Sequence, residues 1–171
     1  VETACRIDTE RQSEELRTLG GLEALAGERA AKDSGNYRVS APILILDDES
    51  FLEYCARIGQ LPGLEGAVVL NRIWDSANSD FRSRQYVPFV KEEDTIPVYT
   101  REGTVMEFPV LSYTEEPPLL REEYEDYALV MLVPLSLWER VSASMTDPEP
   151  EIFIRILGEE GTGHEECERL E

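Results

Sequence analysis

The stretch Ile43-Leu44-Ile45-Leu46-Asp47-Asp48-Glu49-Ser50-Phe51-Leu52 decides the fold, because its pattern changes from that of a strand to that of a helix. Ile43 to Leu46 is a short continuous apolar run, which predicts a buried strand. Apolar residues then recur at helical spacing from Phe51 to Ile58. Asp47 and Asp48 stand where a carboxylate caps the first turn of a helix, whose dipole also favours negative charge. We therefore expect a strand that leads directly into a capped helix.

The pattern on the carboxyl side of this unit is mostly that of strands. Gly66 to Trp74 is the next strand candidate, so residues 39–74 predict a β-α-β unit. Three β-branched or aromatic stretches then predict an antiparallel meander: Tyr86 to Val90, Thr95 to Thr100 and Thr104 to Tyr113. Each of the three contains a proline, and because proline cannot donate to a strand ladder, we expect edges or bulges there.

The second half of the chain adds helices to these strands. Pro117-Pro118 opens a short acidic helix, and Ala128 to Val133 predicts a strand. Ser136 to Glu139 matches a capping box, so we expect a helix through Ala143. Glu151 to Leu157 alternates large apolar residues with others and predicts the last strand. The expected fold class is α+β: a single domain with a mixed, largely antiparallel sheet of about seven strands and three or four packed helices.

Composition divides the chain into three parts. Residues 1–36 predict a polar N-terminal arm, partly helical or flexible, because a stripe of spaced leucines is interrupted by Gly20-Gly21. Residues 37–157 are expected to form the α+β core domain. Residues 158–171 are rich in Gly and Glu and predict a disordered acidic tail. The core is itself acidic, since residues 38–157 carry 22 acidic and 10 basic side chains.

Net charge limits the class of partner. The chain has 16 Lys and Arg against 36 Asp and Glu, a formal charge of −20, which repels phosphate backbones and anionic lipids. We therefore expect no direct nucleic-acid or membrane binding and an attraction to basic protein surfaces, although such charge also keeps a protein soluble. No apolar run approaches the ~20 residues of a membrane span. The sparse cysteines Cys5, Cys55 and Cys167 form no disulfide framework, so a cytoplasmic location is expected.

Several catalytic chemistries are excluded by missing residue types. The single histidine, His164, lies in the acidic tail, so histidine-based nucleophilic catalysis lacks a rigidly held base. The scattered cysteines lack the paired spacing of a structural zinc site. Neither phosphate-binding glycine motif follows a strand and opens a helix. These absences favour a non-catalytic protein.

One enzyme hypothesis stays open, because a hard cation such as Mg²⁺ needs only one or two carboxylates beside substrate phosphates. Asp47 and Asp48 are the candidate metal ligands, joined by Asp75 or Asp80 from the following strand end and loop. The strand, the acidic run and the helix also resemble the start of a response-regulator receiver domain, in which paired acids hold Mg²⁺. The resemblance ends there, because no later strand ends in the aspartate or lysine that a receiver requires. We therefore assign the chain to no family.

Two segments have the composition of contact surfaces. The first interleaves arginines with aromatic residues and contributes Arg82, Arg84 and Tyr86, residue types that are enriched at protein interfaces. The second is an acidic face with tyrosines, suited to a basic partner. It consists of Glu115 and Glu116 together with Arg121, Glu122, Glu123, Tyr124, Glu125, Asp126 and Tyr127. An ordinary solvated loop and an ordinary solvated helix face are the alternatives for these two segments.

The sequence therefore predicts a non-catalytic protein-interaction module with an assembly, adaptor or inhibitor role, docking on a macromolecular partner with a basic surface. Cofactors are expected to be absent, with Mg²⁺ as the single candidate. A small carboxylate-dependent divalent-metal enzyme is the first alternative. The second alternative is a structural subunit of a larger assembly, and self-association into a homo-oligomer stays open.

Overall fold

The computed structural model describes residues 3–7, 10–21, 30–33, 36–75, 85–100, 103–116 and 127–143. These residues form ten strands and three helices. In chain order they are β1 (Ala4–Ile7), α1 (Glu14–Thr18), β2 (Ala30–Asp33), β3 (Asn36–Ser40), β4 (Ile43–Leu46), α2 (Asp48–Arg57), β5 (Ala67–Asn71), β6 (Ile73–Trp74), β7 (Tyr86–Val87), β8 (Thr95–Tyr99), β9 (Val105–Thr114), β10 (Leu129–Pro134) and α3 (Leu135–Ser142). None of these helices has the length and apolar character needed to cross a membrane.

Eight of the strands form one mixed sheet in the order β2-β3-β1-β8-β9-β5-β10-β4. The predicted α+β class with a mixed sheet is confirmed. The prediction of a largely antiparallel sheet is wrong for the half that runs from β9 to β4, where two of three pairs are parallel: β5 with β9, and β10 with β4. The remaining two strands, β6 and β7, form a separate antiparallel ribbon.

Burial on both faces explains why β5 and β10 lie inside the sheet. Every residue of both strands is buried, and uninterrupted apolar strands of this kind suit a sheet that is covered on both faces. On one face α2 contributes Phe51, Tyr54 and Cys55. On the other face α3 contributes Leu137 and Trp138, beside side chains from both halves of the sheet. We call the first group the α2-side core and the second the α3-side core.

Adjacent aspartates cap two different helices. Asp47 is the N-cap of α2 and accepts hydrogen bonds from the Ser50 amide at 2.9 Å and the Ser50 hydroxyl at 2.6 Å, as the sequence predicted. Asp48 instead accepts from the amide of Ser136, in the first turn of α3, at 3.0 Å. The predicted capping box at Ser136 is wrong, because β10 runs directly into α3 and Pro134 occupies the N-cap without a side-chain bond.

The segment predicted to be an N-terminal arm contributes to the core where it is described. β1 lies inside the sheet, antiparallel to both β3 and β8, and Cys5 is fully buried. Leu16, from the predicted leucine stripe, is also fully buried in the α3-side core. The sequence Ala4-Cys5-Arg6-Ile7 is too short to stand out as a strand, so its placement depends on partners that lie far away in the sequence.

The predicted meander is confirmed in part. β8 and β9 form the expected hairpin, closed by a hydrogen bond from the Thr100 amide to the Thr104 carbonyl, with Gly103 at φ 87°. The preceding stretch does not join it, since β7 pairs with β6 instead. The predicted β-α-β unit is also altered, because β10 inserts between β4 and β5. The predicted acidic helix after Pro117, the predicted strand Glu151 to Leu157 and the predicted tail lie outside the described residues.

A buried amide joins three distant parts of the chain. The Asn71 Oδ1 at the end of β5 accepts from the amides of Phe89 at 3.0 Å and Val90 at 2.9 Å, while its Nδ2 donates to the Val90 carbonyl at 2.9 Å. The same loop binds the N-terminal segment, because Ser13 donates its amide to the Phe89 carbonyl at 3.1 Å and Gln12 bridges to Val90. Asn71 therefore fixes the position of the loop and, through it, of the N-terminal segment.

Asn71→Ala is expected to lower the free energy of unfolding by about 2–4 kcal/mol, because it leaves two amides and a carbonyl buried without partners. Urea denaturation of the variant and of the wild type measures the difference. The exposed substitution Glu53→Ala is the control and should change the free energy by less than about 0.5 kcal/mol. Equal midpoints for Asn71→Ala and Glu53→Ala would contradict the proposed role of this amide.

The cap at Asp47 predicts a pH dependence of stability. The hydrogen bonds from the Ser50 hydroxyl and amide hold the pKa of Asp47 below its usual value. The ionised carboxylate therefore stabilises the fold above the pKa of the unfolded chain, and this stabilisation is lost as the pH falls through the folded pKa. Asp47→Asn keeps an oxygen that can cap the helix but cannot ionise. Thermal melts from neutral pH to below pH ~3 should show that the difference between the midpoints of wild type and variant shrinks on acidification. A midpoint difference that does not depend on pH would contradict the role of Asp47 as a cap.

Candidate interaction surface

The two-stranded ribbon of β6 and β7 places Arg72, Trp74 and Tyr86 on one face. These are residue types that are common in protein contacts. Ile73 lies opposite Val87 and packs against the α3-side core. Because successive side chains in a strand point to opposite faces, Arg72 and Trp74 lie on the face away from that core. Trp74 is paired directly with Tyr86, so these two rings share the outer face.

Arg72 fixes Tyr86 to the main sheet. Its guanidinium carbon lies 4.2 Å from the centre of the Tyr86 ring, a cation–π contact. The same guanidinium donates from Nη1 to the carbonyl of Glu115 at 3.1 Å, and the Arg72 amide donates to the carbonyl of Ala128 at 3.0 Å. With a relative exposure of 7%, Arg72 is a buried connection between the ribbon, the end of β9 and the start of β10.

Trp74 remains half exposed, with a relative exposure of 50%. Among the large apolar side chains that are exposed within the described ranges, it is the only aromatic one. The others are Leu61, Val105 and Leu135. Single exposed aliphatic residues are ordinary on protein surfaces. Tryptophan, tyrosine and arginine are the residue types enriched among the side chains that contribute most to binding at protein interfaces.

The end of β9 adjoins this surface through the backbone of Glu115, which Arg72 contacts. Glu115 and Glu116 follow β9 directly and are exposed. Their backbone is held in place, because the Glu115 carbonyl accepts from Arg72 and the Glu116 carbonyl accepts from the hydroxyl of Tyr54 at 3.3 Å. We call Arg72, Trp74, Tyr86, Glu115 and Glu116 the ribbon surface.

The predicted binding residues fall in different places. Tyr86 belongs to the ribbon surface, whereas Arg82 and Arg84 lie outside the described residues. Of the predicted acidic face, three residues are described: Glu115 and Glu116, which follow β9, and Tyr127. Tyr127 is partly buried and packs against the α2-side core, so its ring is a core contact. Arg121, Glu122, Glu123, Tyr124, Glu125 and Asp126 lie outside the described part.

Sequence reasoning missed Arg72 and Trp74, whereas Glu115 and Glu116 belong to the predicted acidic face. The available signal was the alternation Arg72-Ile73-Trp74, which places the arginine and the tryptophan on the face opposite an apolar residue. The sequence could not show that β7 pairs with β6, and that pairing is what brings Tyr86 beside them.

The candidate metal ligands are used as helix caps. Asp47 and Asp48 bind Ser50 and Ser136, as described above. Asp75 is buried at the end of the ribbon, where its amide donates to the Gln85 carbonyl at 2.9 Å, and Asp80 lies outside the described residues. In the part of the chain that the structure describes, no three His, Cys, Asp or Glu side chains are grouped closely enough to hold a metal ion.

The described cysteines are buried thiols. Burial raises the pKa of Cys5 to about 12 and also raises the pKa of Cys55, so neither supplies a reactive thiolate near neutral pH. Cys5 lines a small pocket with Tyr113 and with Arg11, which forms an ion pair with Glu93 at 2.7 Å. The free volume of this pocket is about 10 Å³, room for about one water molecule, which is too small for a substrate.

The helix-cap assignment predicts the response to divalent cations. Asp48→Ala should lower the free energy of unfolding by about 1 kcal/mol through loss of the α3 cap. Millimolar Mg²⁺ or Mn²⁺ should then shift the thermal midpoints of wild type, Asp48→Ala and the exposed control Glu53→Ala by the same amount. A rise in the wild type that disappears in Asp48→Ala and persists in Glu53→Ala would overturn this expectation and favour the metal-enzyme hypothesis.

Comparisons with known proteins do not add to this geometry. No protein-family model matches the chain, and no curated protein or solved structure matches it either.

Proposed function

We propose that this chain is a non-catalytic protein-interaction module that binds a basic protein surface through the ribbon surface. The observation that carries the proposal is the half-exposed Trp74, paired across the ribbon with a tyrosine that the buried Arg72 immobilises. An assembly, adaptor or inhibitor role fits a protein that acts through such a contact.

Preorganisation supports this use of the ribbon. Binding costs free energy for every side chain that must be ordered, and aromatic rings have few rotatable bonds to order. Tyr86 is already fixed by the Arg72 stack, and the ribbon backbone is tied to the main sheet through Arg72 and Asn71. A partner that covers Trp74 therefore gains apolar burial at little cost in conformational freedom.

Electrostatics supports a basic partner. The exposed face of an indole attracts arginine and lysine, and the Glu115 and Glu116 carboxylates offer ion pairs at the edge of the same surface. The formal charge of −20 extends this attraction beyond contact distance and raises the association rate at low salt. We therefore expect an arginine or lysine of the partner to stack on Trp74, with further basic groups facing the two glutamates.

Capture from native cell extract with the immobilised chain tests the proposal. The wild type should retain a stoichiometric partner that elutes as salt increases, because the charged contacts are screened. Trp74→Ala should weaken binding of that partner by at least about 30-fold, the loss typical of an interface hot spot. Leu61→Ala removes an exposed side chain elsewhere, at 79% exposure, and should leave the affinity unchanged.

A charge variant distinguishes long-range electrostatic attraction of the partner from direct contact with it. The double variant with Glu115→Gln and Glu116→Gln should slow association and make the association rate less dependent on salt. Its effect on the dissociation rate should be smaller than that of Trp74→Ala. The pair Glu14→Gln and Glu15→Gln on α1 removes the same charge from another exposed site and is the matched control. If Trp74→Ala binds the partner with the same affinity as Leu61→Ala, the ribbon surface is refuted as the binding site.

A further inference from the structure

The antiparallel half of the sheet has an exposed face opposite the α3-side core. In the β8–β9 hairpin, buried residues of that core alternate with residues that are exposed or partly exposed. Successive side chains of a strand point to opposite faces, so the second set lies on the outer face of the sheet. It consists of Thr95, Pro97, Tyr99, Val105, Glu107 and Pro109.

The two strands beyond the hairpin continue this outer face. Ala4 of β1 lies opposite Tyr99 on one side and opposite Ser40 of β3 on the other. Tyr99 in turn lies opposite Val105. These four residues form one row across β3, β1, β8 and β9. Val105, at the end of the row, is 54% exposed, so the row offers apolar area that is not yet buried.

Opposite charges occupy the two ends of a second row. Arg38 in β3 and Glu107 in β9 both lie two residues farther along their strands, on the same side of the first row, and both are exposed. Arg6 and Pro97 hold the two middle positions. With strands ~4.8 Å apart, three spacings separate the two ends by about 14 Å. The outer face therefore has a positive end at β3 and a negative end at β9.

We infer that two copies of this chain associate through this outer face, about a twofold axis that runs parallel to the strands between β1 and β8. Such an axis keeps each row at its own level and reverses its order in the second copy. Arg38 of one copy then faces Glu107 of the second copy, and the reciprocal pair forms at the other end. A closed twofold interface requires this reciprocity.

The same axis places large side chains opposite small ones. In the first row, Tyr99 faces Ala4 of the second copy, and Val105 faces Ser40. Sheets that pack face to face lie about 10 Å apart, and the side chains of the two faces interdigitate. A tyrosine over an alanine suits that spacing. An arginine and a glutamate that reach toward each other from opposite sheets also span it, so both rows fit the same packing.

Charge explains why this face suits a second copy. Two chains of formal charge −20 repel each other, so self-association requires a contact that brings opposite charges together. The pairs of Arg38 with Glu107 do so twice in each dimer. Four strands of about five residues cover roughly 300 Å² of sheet, less than the ~800 Å² that each partner buries in a standard interface, so the dimer should be weak. The inference uses no residue of the ribbon surface, so either proposal can fail without the other.

Analytical ultracentrifugation of the full chain tests the inference. In ~0.15 M salt, repulsion between the chains is screened beyond ~8 Å. The average mass should then rise from that of one chain toward that of two chains as the concentration increases from roughly 5 to 500 µM. A mass that stays at one chain over this range would overturn the inference. A mass that continues to rise past two chains would also overturn it, because a twofold contact closes.

An exchange of charges tests the geometry of the dimer. Arg38→Glu and Glu107→Arg each place like charges opposite each other and should raise the dissociation constant by at least about tenfold. The double variant restores both pairs with the signs exchanged, so its dissociation constant should return to within about threefold of the wild type. Glu53→Arg makes the same charge change as Glu107→Arg at an exposed position on α2 and is the matched control. Failure of the double variant to recover, or equal effects of Glu107→Arg and Glu53→Arg, would contradict the inference.

Discussion

The side chain of Asn71 is the constraint on which much of this structure depends. A buried amide must satisfy its donor and acceptor groups, and Asn71 satisfies them with the backbone of Phe89 and Val90. That requirement fixes where the chain returns after the ribbon, and Phe89 enters the α3-side core at the same point. The N-terminal segment then pairs with this loop. The ribbon follows Asn71 within two residues, so the same hydrogen bonds determine how Trp74 is presented.

The acidic run after β4 shows how a chemical pattern can have a structural cause. β4 and β10 are parallel and end at the same edge, so the helices that follow them begin side by side. Two consecutive aspartates then serve two helix N-termini, one on their own helix and one on the neighbour. In the sequence this arrangement resembles a pair of metal ligands, because adjacent carboxylates are found in metal sites as well as in helix caps. The hydrogen bond from the Ser136 amide accounts for the second aspartate as a cap of α3.

Local signals in the sequence were sufficient to predict individual strands and helices but insufficient to predict which strands pair with each other. The run Ile43–Leu46, the helix after it and the β8–β9 hairpin were predictable, because each depends on neighbouring residues alone. β1 was not, because a strand of only four residues is stabilised by partners that lie at least thirty residues away in β3 and ninety-five residues away in β8. Tyr86 was predicted as a contact residue, but its place beside Trp74 was not, because that pairing joins residues that lie twelve positions apart in the sequence.

The order of strands in the sheet has a consequence for how this protein folds during synthesis. β1, at the amino terminus, is completed by β8, and β4 and β5 are joined only when β10 inserts between them. The first half of the chain therefore leaves the ribosome with apolar strand edges that have no native neighbour yet. Such long-range pairings slow folding and lengthen the time during which those edges are open to other chains. Residues 43–71 should consequently stay without their central strand until residue 134 has been made.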